Sequence, residues 1–291
     1  MKVKPIPVRW QPGMSIFASE SFLKAVGDEY GWLGGVSETG ELLCILPYTL
    51  IRKMFLRMVR FRTETIIISE KLEILEEKKF LEEAMRYFRT RGADLIIPAS
   101  NNAIFRTYPA GGKAAPYGSY IIDLNKTEEQ LWKNIDRITR QNIKTAQKNG
   151  VQIVTDFDRL NDVHRHVRDT FRRSKLPFMN LDSFERYIKG LGPNGIILAA
   201  IYNGVVQSCV VFAFSEYCAY AIYAGNSPDQ YPGANKLLYW EAIRLFRSMG
   251  VRRYDFMGAR IDPEKGSKQE ALAQFKKRFG AELKRGFMWK Y

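Results

Sequence analysis

Near the end of the sequence one lysine, Lys276, stands between two aromatic residues, Phe275 and Phe279. Rings on either side lower the local dielectric and strengthen any contact between an ammonium and a developing negative charge. The same surroundings also suit a lysine that lays its stem on an apolar surface with its charge in water. Asp255, in Tyr254-Asp255-Phe256-Met257-Gly258, is the carboxylate that a strand end would present as a weak candidate base. Gly233-Ala234-Asn235 falls where a helix is expected to begin, and the free N–H groups of such an end suit an anion or an oxyanion. A lysine so placed suits contact with a substrate carbonyl or phosphate. Other chemistries lack their residues. There is no G-x-x-x-x-G-K-[ST] loop and no G-x-S-x-G elbow. His164 and His166 are two apart, so on a helix they do not share a face. Cys44, Cys209 and Cys218 have no C-x-x-C spacing. No metal site, disulfide framework or cysteine nucleophile is therefore expected.

Residues 127–149 predict a single helix. Thr127 is its N-cap, Gln130 completes a capping box, and Asn149-Gly150 is the stop. At ~100° per residue, Leu131, Ile135, Ile138 and Ala146 share an inner face. Lys133, Arg137, Arg140, Lys144 and Lys148 fall on the opposite one. Like charges in one stripe repel one another unless an anion lies near. The stripe is either a solvated outer face or a docking surface for phosphates of a nucleic acid or a nucleotide-linked substrate.

The elements that carry these residues occur twice. GWLGGVSETGELLCILP (31–47) aligns without a gap on GIILAAIYNGVVQSCVV (195–211), with turns at Gly40 and Gly204. EAMRYFRTRG (83–92) aligns on EAIRLFRSMG (241–250), each an amphipathic helix closed by glycine. A Ser-Phe pair opens a helix before each hairpin, and a strand follows each Gly-closed helix, so the order helix, hairpin, helix, strand repeats. Two matches in the same order make a duplicated domain the best explanation. Mixed hairpins and helices give an α/β (α+β) class, with one domain over 1–122 and a second over 123–291. Net charge is +14 over 291 residues, and the second part holds most of the excess, with 28 basic against 18 acidic residues. Such a charge suits an anionic partner: nucleic acid, a phosphate-bearing substrate or a lipid surface. The N-terminus has no signal-peptide core and no apolar run reaches the ~20 residues of a membrane span, so a cytoplasmic location is expected, extending to the inner membrane surface.

The segments R-x-x-R-Q-N-I-K-T-A-Q-K-N-G-V (137–151), G-A-N-K-L-L-Y-W-E-A-I (233–243), Y-D-F-M-G (254–258) and F-K-K-R-F-G (275–280) resemble the Fem family of non-ribosomal peptidyltransferases. That resemblance implies two tandem GNAT-like domains, with the active site in the second. It implies transfer of an aminoacyl group from aminoacyl-tRNA to an amine of a peptidoglycan or other cell-envelope precursor, with no permanently bound cofactor. It places Phe275 and Lys276 at the substrate site, Tyr220 and Tyr223 in the pocket, and Arg172 or Arg173 on the precursor's phosphates. In the first domain Lys24 is the one match to a phosphate-handling residue. The chain is short for the family and lacks the helical-hairpin arm of some members. Shorter relatives use acyl-coenzyme A, and Gln230 to Asn235 fits four positions of the GNAT pyrophosphate turn, so acyl-coenzyme A is the alternative donor. An RNA-binding protein without chemistry is the alternative function.

Overall fold

The computed structural model describes residues 1–155 and 159–291. Its strands are β1 (Lys2–Ile6), β2 (Glu29–Val36), β3 (Leu42–Lys53), β4 (Leu56–Phe61), β5 (Ile66–Ile67), β6 (Leu95–Ile96), β7 (Lys113–Asp123), β8 (Gln152–Thr155), β9 (Gly195–Tyr202), β10 (Val205–Phe214), β11 (Ala219–Asn226), β12 (Arg253–Asp255), β13 (Ala259–Arg260) and β14 (Glu282–Lys290). The helices are α1 (Glu20–Val26), α2 (Ile74–Arg89), α3 (Glu128–Asn134), α4 (Arg137–Lys148), α5 (Leu160–Arg173), α6 (Leu181–Leu191), α7 (Ala234–Ser248) and α8 (Lys268–Lys277). The chain forms two compact units, Met1–Ser119 with Gly258–Pro263 and Leu283–Tyr291, and Tyr120–Met257 with Glu264–Glu282.

The first unit is built on a sheet ordered β1-β2-β3-β4-β6, antiparallel except for the parallel β4–β6 pair. Its core joins Leu33, Leu46, Val59, Phe61, Phe80, Phe88 and Phe105. The boundary expected at residue 122 lies three residues from the break after Ser119, but the last strand differs from the expectation. β14, assigned from sequence to the second domain, belongs to the first unit. Its Trp289 is buried against Phe61 and Phe105, and Tyr291 exchanges backbone hydrogen bonds with Ile96. Phe287 and Trp289, alternate residues of β14, need a core to cover them, and the core around Phe61 and Phe105 supplies it while β14 pairs with β7.

In the second unit, the Tyr120–Asp123 end of β7 is followed by β12-β11-β10-β9-β8. α7, which is backed by α4, packs on β9 and β10, while α5 packs on β10 and β11 and α6 on β9. Phe212 and Phe246 meet under α7, while Val163, Val167, Phe184 and Ile188 close the other core.

The duplication is visible at the level of single residues. The β2–β3 hairpin turns at Gly40 (φ +90°) and the β9–β10 hairpin at Asn203-Gly204 (φ +49° and +76°). Each hairpin also bulges at the third residue beyond its turn glycine, at Leu43 and at Gln207. The bulged residue's carbonyl then accepts an N–H from just beyond a strand that pairs with it, Ile68 after β5 on Leu43 and Ser227 after β11 on Gln207. A bulge leaves a carbonyl out of the ladder, and both copies satisfy it in the same way. α2 and α7 each end before a left-handed glycine, Gly92 (φ +74°) and Gly250 (φ +77°), and lead into a parallel strand.

Trp289→Ala should cost ~3–5 kcal/mol, the scale of removing a large buried aromatic side chain. Its buried indole N–H has no hydrogen-bond partner among the described residues, so Trp289→Phe should cost much less. Denaturant melts of both variants check this, and a small loss for Trp289→Ala would show that β14 is dispensable.

Candidate functional site

The second unit brings Lys276, Asp255 and Tyr220 to one place, the end of the parallel pair β11 and β12. These strands pair only at Ala219↔Tyr254 and Tyr220↔Asp255. Beyond that point β11 continues to Asn226 while β12 stops. Diverging carboxyl ends of parallel strands are where open α/β sheets hold ligands.

Asp255 is the last residue of β12 and only 4% exposed. A buried carboxylate needs donors. Asp255 Oδ1 accepts the Met257 N–H at 2.6 Å, and Met257 takes the left-handed conformation (φ +59°). That turn directs the Met257 carbonyl to Lys276, whose ammonium donates to it. The Lys276 Nζ also lies 6.0 Å from the centre of the Tyr120 ring. Burial lowers the Lys276 pKa from 10.5 to about 8, and the Asp255 charge opposes that fall. Lys276 is thus a desolvated cation beside a buried carboxylate. Its aromatic setting differs in detail from the sequence expectation. Phe275 and Phe279 pack on each other and on Tyr239 and Phe256, so they anchor α8, and Tyr120 is the ring that faces the charge.

Tyr220 and Tyr223, three apart, would fall on opposite faces of a regular strand. β11 is irregular: Val211 pairs with Tyr223 and Phe212 with Ala221, which leaves Ile222 as an extra residue. The bulge returns Tyr220 and Tyr223 to the same face. Tyr223 stands there among Phe171, Phe178, Phe184 and Tyr187. Arg172 and Arg173, adjacent in sequence, part company. Arg172 points outward in an ion pair with Asp169, whereas Arg173 donates to the carbonyl of Asn226, the last residue of β11.

Gly233 is the N-cap of α7 with φ +86°, and no side chain caps that end. A Cβ on Gly233 would stand 2.5 Å from the Asn142 carbonyl oxygen, so glycine is required both by the conformation and by the approach of α4. The loop before it is tied down by the Tyr231 N–H on Gln207 Oε1 and by Asn149 on the Tyr231 hydroxyl. Ala234 is buried, while Asn235 is half-buried beside Lys236. Lys236 was not anticipated: burial and then the Arg278 charge lower its pKa, with Asp136 acting the other way. Nothing in the sequence marks it, because Arg278 and Asp136 reach it from distant parts of the chain.

The single helix expected over 127–149 is two helices. The Thr127–Gln130 capping box is present, but Ile135 is extended and Asp136 caps a new helix by accepting the Thr139 N–H at 2.7 Å. Aspartate in a helix interior competes for nearby N–H groups in this way. The break changes both faces. Ile138 is 64% exposed rather than buried, and Thr139 and Ile143 face the core. Arg140 donates to the carbonyls of Trp132 and Lys133, tying α3 to α4, and Lys133 pairs with Glu129. Arg137, Lys144 and Lys148 remain exposed on α4. Lys24 is exposed in the last turn of α1, in the first unit.

His164 is buried with its Nε2 2.9 Å from the Met179 carbonyl oxygen. Among the described residues no group of three His, Cys, Asp or Glu side chains is placed to hold a metal ion. The three thiols are buried, and burial pushes those of Cys44 and Cys209 up to about 12. Among the described residues no helix is long and apolar enough to cross a membrane.

The FemAB family model matches residues 107–203, a stretch that takes in α3, α4 and Arg172-Arg173. Among solved structures, FemX is 14% identical over 99% of this chain and 97% of its own, with a TM-score of 0.73. A tandem GNAT protein from the clavulanic acid biosynthesis pathway is 10% identical over 100% of this chain and 98% of its own, at a TM-score of 0.59. The C-terminal domain of a candidate lysylphosphatidylglycerol synthetase from Agrobacterium fabrum is 15% identical over 95% and 87%, at 0.56. No curated protein matches the chain in sequence. The duplicated domain read from the repeat and the tandem GNAT-like fold implied by the Fem resemblance agree with the fold shared with FemX and the tandem GNAT protein.

Lys276→Met tests the desolvated charge. A folded-state pKa of about 8 against 10.5 means that wild-type stability rises with pH between those values, because only the unfolded chain is still protonated there. Below pH 8 the buried charge is a full penalty. The methionine variant should therefore be more stable than wild type at pH 7, by about 1–2 kcal/mol once the lost hydrogen bond is set against the recovered desolvation. The difference should shrink towards pH 10. Urea melts at both pH values decide, and a variant that melts earlier at pH 7 would make Lys276 a structural tie.

Proposed function

We propose that this chain is a Fem-like acyltransferase of tandem GNAT fold, an aminoacyl- or N-acyltransferase that acts on an amine of a peptidoglycan or other cell-envelope precursor, a reading supported by the FemAB match over residues 107–203 and the fold shared with FemX. The observation that carries this reading is the buried Lys276 cation at the point where β11 and β12 diverge. The acceptor amine attacks the carbonyl carbon of the donor ester, negative charge develops on the carbonyl oxygen, and collapse of that intermediate breaks the acyl C–O bond and releases the donor hydroxyl, which takes up the proton the amine gives away. Lys276 exchanges the Met257 carbonyl for that oxygen. A donor already stripped of water stabilises the charge far more than a solvated one does. Asp255 keeps the lysine protonated near neutrality and fixes the turn that aims it. Phe275, Tyr220 and Tyr223 supply the walls that orient the donor.

Aminoacyl-tRNA is the donor we favour, since Arg137, Lys144 and Lys148 give α4 an exposed cationic face that suits phosphates. The alternative, acyl-coenzyme A, rests on the uncapped start of α7 at Gly233, Ala234 and Asn235, a fit for a pyrophosphate. We assign the precursor's phosphates to Arg173 rather than Arg172, because Arg173 reaches the end of β11.

Incubation with charged tRNA, with acyl-coenzyme A and with amine acceptors tests the reading. Transfer from one donor supports it and names the donor, whereas binding of tRNA with no transfer from either would reduce the protein to an RNA-binding module. Lys276→Met should lower the rate ~100-fold or more, as loss of one oxyanion donor does. The rate should rise with pH as the acceptor amine loses its proton, then fall above about pH 8 as Lys276 does. Lys276→Arg should remove the fall, because a guanidinium keeps its charge. A falling limb unchanged in the arginine variant would take Lys276 out of the reaction.

Charge reversal of Arg137, Lys144 and Lys148 to Glu should weaken tRNA binding and flatten its salt dependence. Arg140 is left in place, because it ties α3 to α4. Unchanged affinity in low salt would leave α4 as a solvated face.

A further inference from the structure

The β3–β4 hairpin of the first unit ends in a tip that the fold does not explain. Lys53 pairs with Leu56 across a two-residue turn made of Met54 and Phe55. Those two side chains are 89% and 96% exposed, and Leu56 is 44% exposed. Met54 sits at φ +55°, a conformation for which glycine or asparagine is the ordinary choice in a two-residue hairpin. The turn therefore takes on backbone strain and places two large apolar side chains in water.

The duplication supplies a control. The equivalent turn of the second unit joins β10 to β11 through Ser215-Glu216-Tyr217-Cys218. It is closed by the Ser215 N–H on the Cys218 carbonyl, Glu216 is exposed, and Tyr217 is half-buried. The same architecture is thus made with a polar tip, so the apolar tip of the first unit has another purpose.

The setting of the tip indicates its partner. Arg52 and Arg57 share the Glu29 carboxylate, and Asp28 and Asp94 accept the backbone N–H groups of Arg52 and Arg57, so one step back from the turn both arginines are already partnered, two cations among three carboxylates. At the turn itself stands Lys53, exposed and in no ion pair among the described residues. Phenylalanine, methionine and leucine projecting beyond a single lysine match the bilayer interface, where apolar side chains enter the acyl boundary and a lysine reaches back to the phosphates. We propose that the β3–β4 hairpin tip is a membrane-interface wedge, inserting Met54 and Phe55 among the lipids with Lys53 on a headgroup phosphate. The contact is weak and reversible, as expected when far less apolar surface is buried than by one acyl chain. It stands on the hairpin alone and does not depend on the acyltransferase reading.

The test is sedimentation of the full chain with vesicles at millimolar lipid, of phosphatidylcholine alone or with about one third phosphatidylglycerol. The double variant Met54→Asn, Phe55→Gly installs a favoured turn, so it should fold at least as well, which a thermal melt checks. It should lose at least about tenfold in partitioning to both vesicles, the scale of withdrawing two large apolar side chains. Lys53→Glu should lose roughly fivefold or more on the phosphatidylglycerol vesicles alone. A Phe55→Trp variant should show a blue-shifted emission quenched by brominated lipid. Wild-type protein that does not sediment with either vesicle overturns the proposal, as does a double variant that binds as wild type does. Sedimentation velocity showing a wild-type dimer that the double variant abolishes, with no vesicle binding, would overturn it in favour of a second copy of this chain.

Discussion

A carboxylate buried at the end of a strand has to be satisfied, and much of the second unit's site follows from how Asp255 is. It accepts the N–H of Met257 two residues on, which turns the chain into the left-handed region. The turn aims the Met257 carbonyl at Lys276. Burial costs both charges, and each offsets part of the cost of the other. Lys276 in turn depends on α8, which is fastened by Phe275 and Phe279 against Tyr239 and Phe256. α7, α8 and the β11–β12 pair are therefore one mechanical unit, and no side chain of the site is held by a free loop alone.

Duplication explains why such a site arises in one unit without its twin. Both copies have the bulge after the hairpin turn, the carbonyl it exposes, and the parallel strand after a Gly-closed helix. Those features are backbone constraints, and they persist while side chains change. In the second copy Gln207 adds a side-chain bond to the Tyr231 N–H, which fixes the loop leading to Gly233. Leu43, its counterpart, has no side-chain acceptor to offer.

The sequence disclosed the features that repeat or break in one dimension. Gly40, Gly204, Gly92 and Gly250 marked turns and helix ends because only such positions need a positive φ. The strand end at Asp255 and the helix start at Gly233 were legible because they are local signals, whereas the aromatic neighbours that mark Lys276 in the sequence anchor α8 and do not face its charge. What stayed hidden depends on long-range packing. Asp136 looked like a member of a helix until Thr139 and Ile143 showed which face the core required. Ile222 looked like any strand residue until the β10–β11 register put Tyr220 and Tyr223 on one face. Tyr120 and Lys236 acquire their places only through residues far along the chain. The last strand read as part of the second domain because chain order is the only evidence one dimension offers, whereas Trp289 follows the core that covers it.

Positive charge is used in two different ways. On α4 the exposed Arg137, Lys144 and Lys148 remain hydrated, and salt screens whatever they attract. Their influence reaches far and discriminates little, so they suit a large polyanion. Lys276 is single and desolvated, its neighbours fix its direction, and its charge is held by Asp255 against burial. Its influence ends within a few ångströms and is strong there. The proposed transfer between a bulky anionic donor and a precisely placed amine would use both kinds. The break at Asp136 separates them further, because it commits Arg140 to holding α3 on α4, while Lys133 pairs with Glu129 within α3 and the outer charges face solvent. The basic stripe of the sequence is thus resolved into structural and solvent-facing cations by one helix cap.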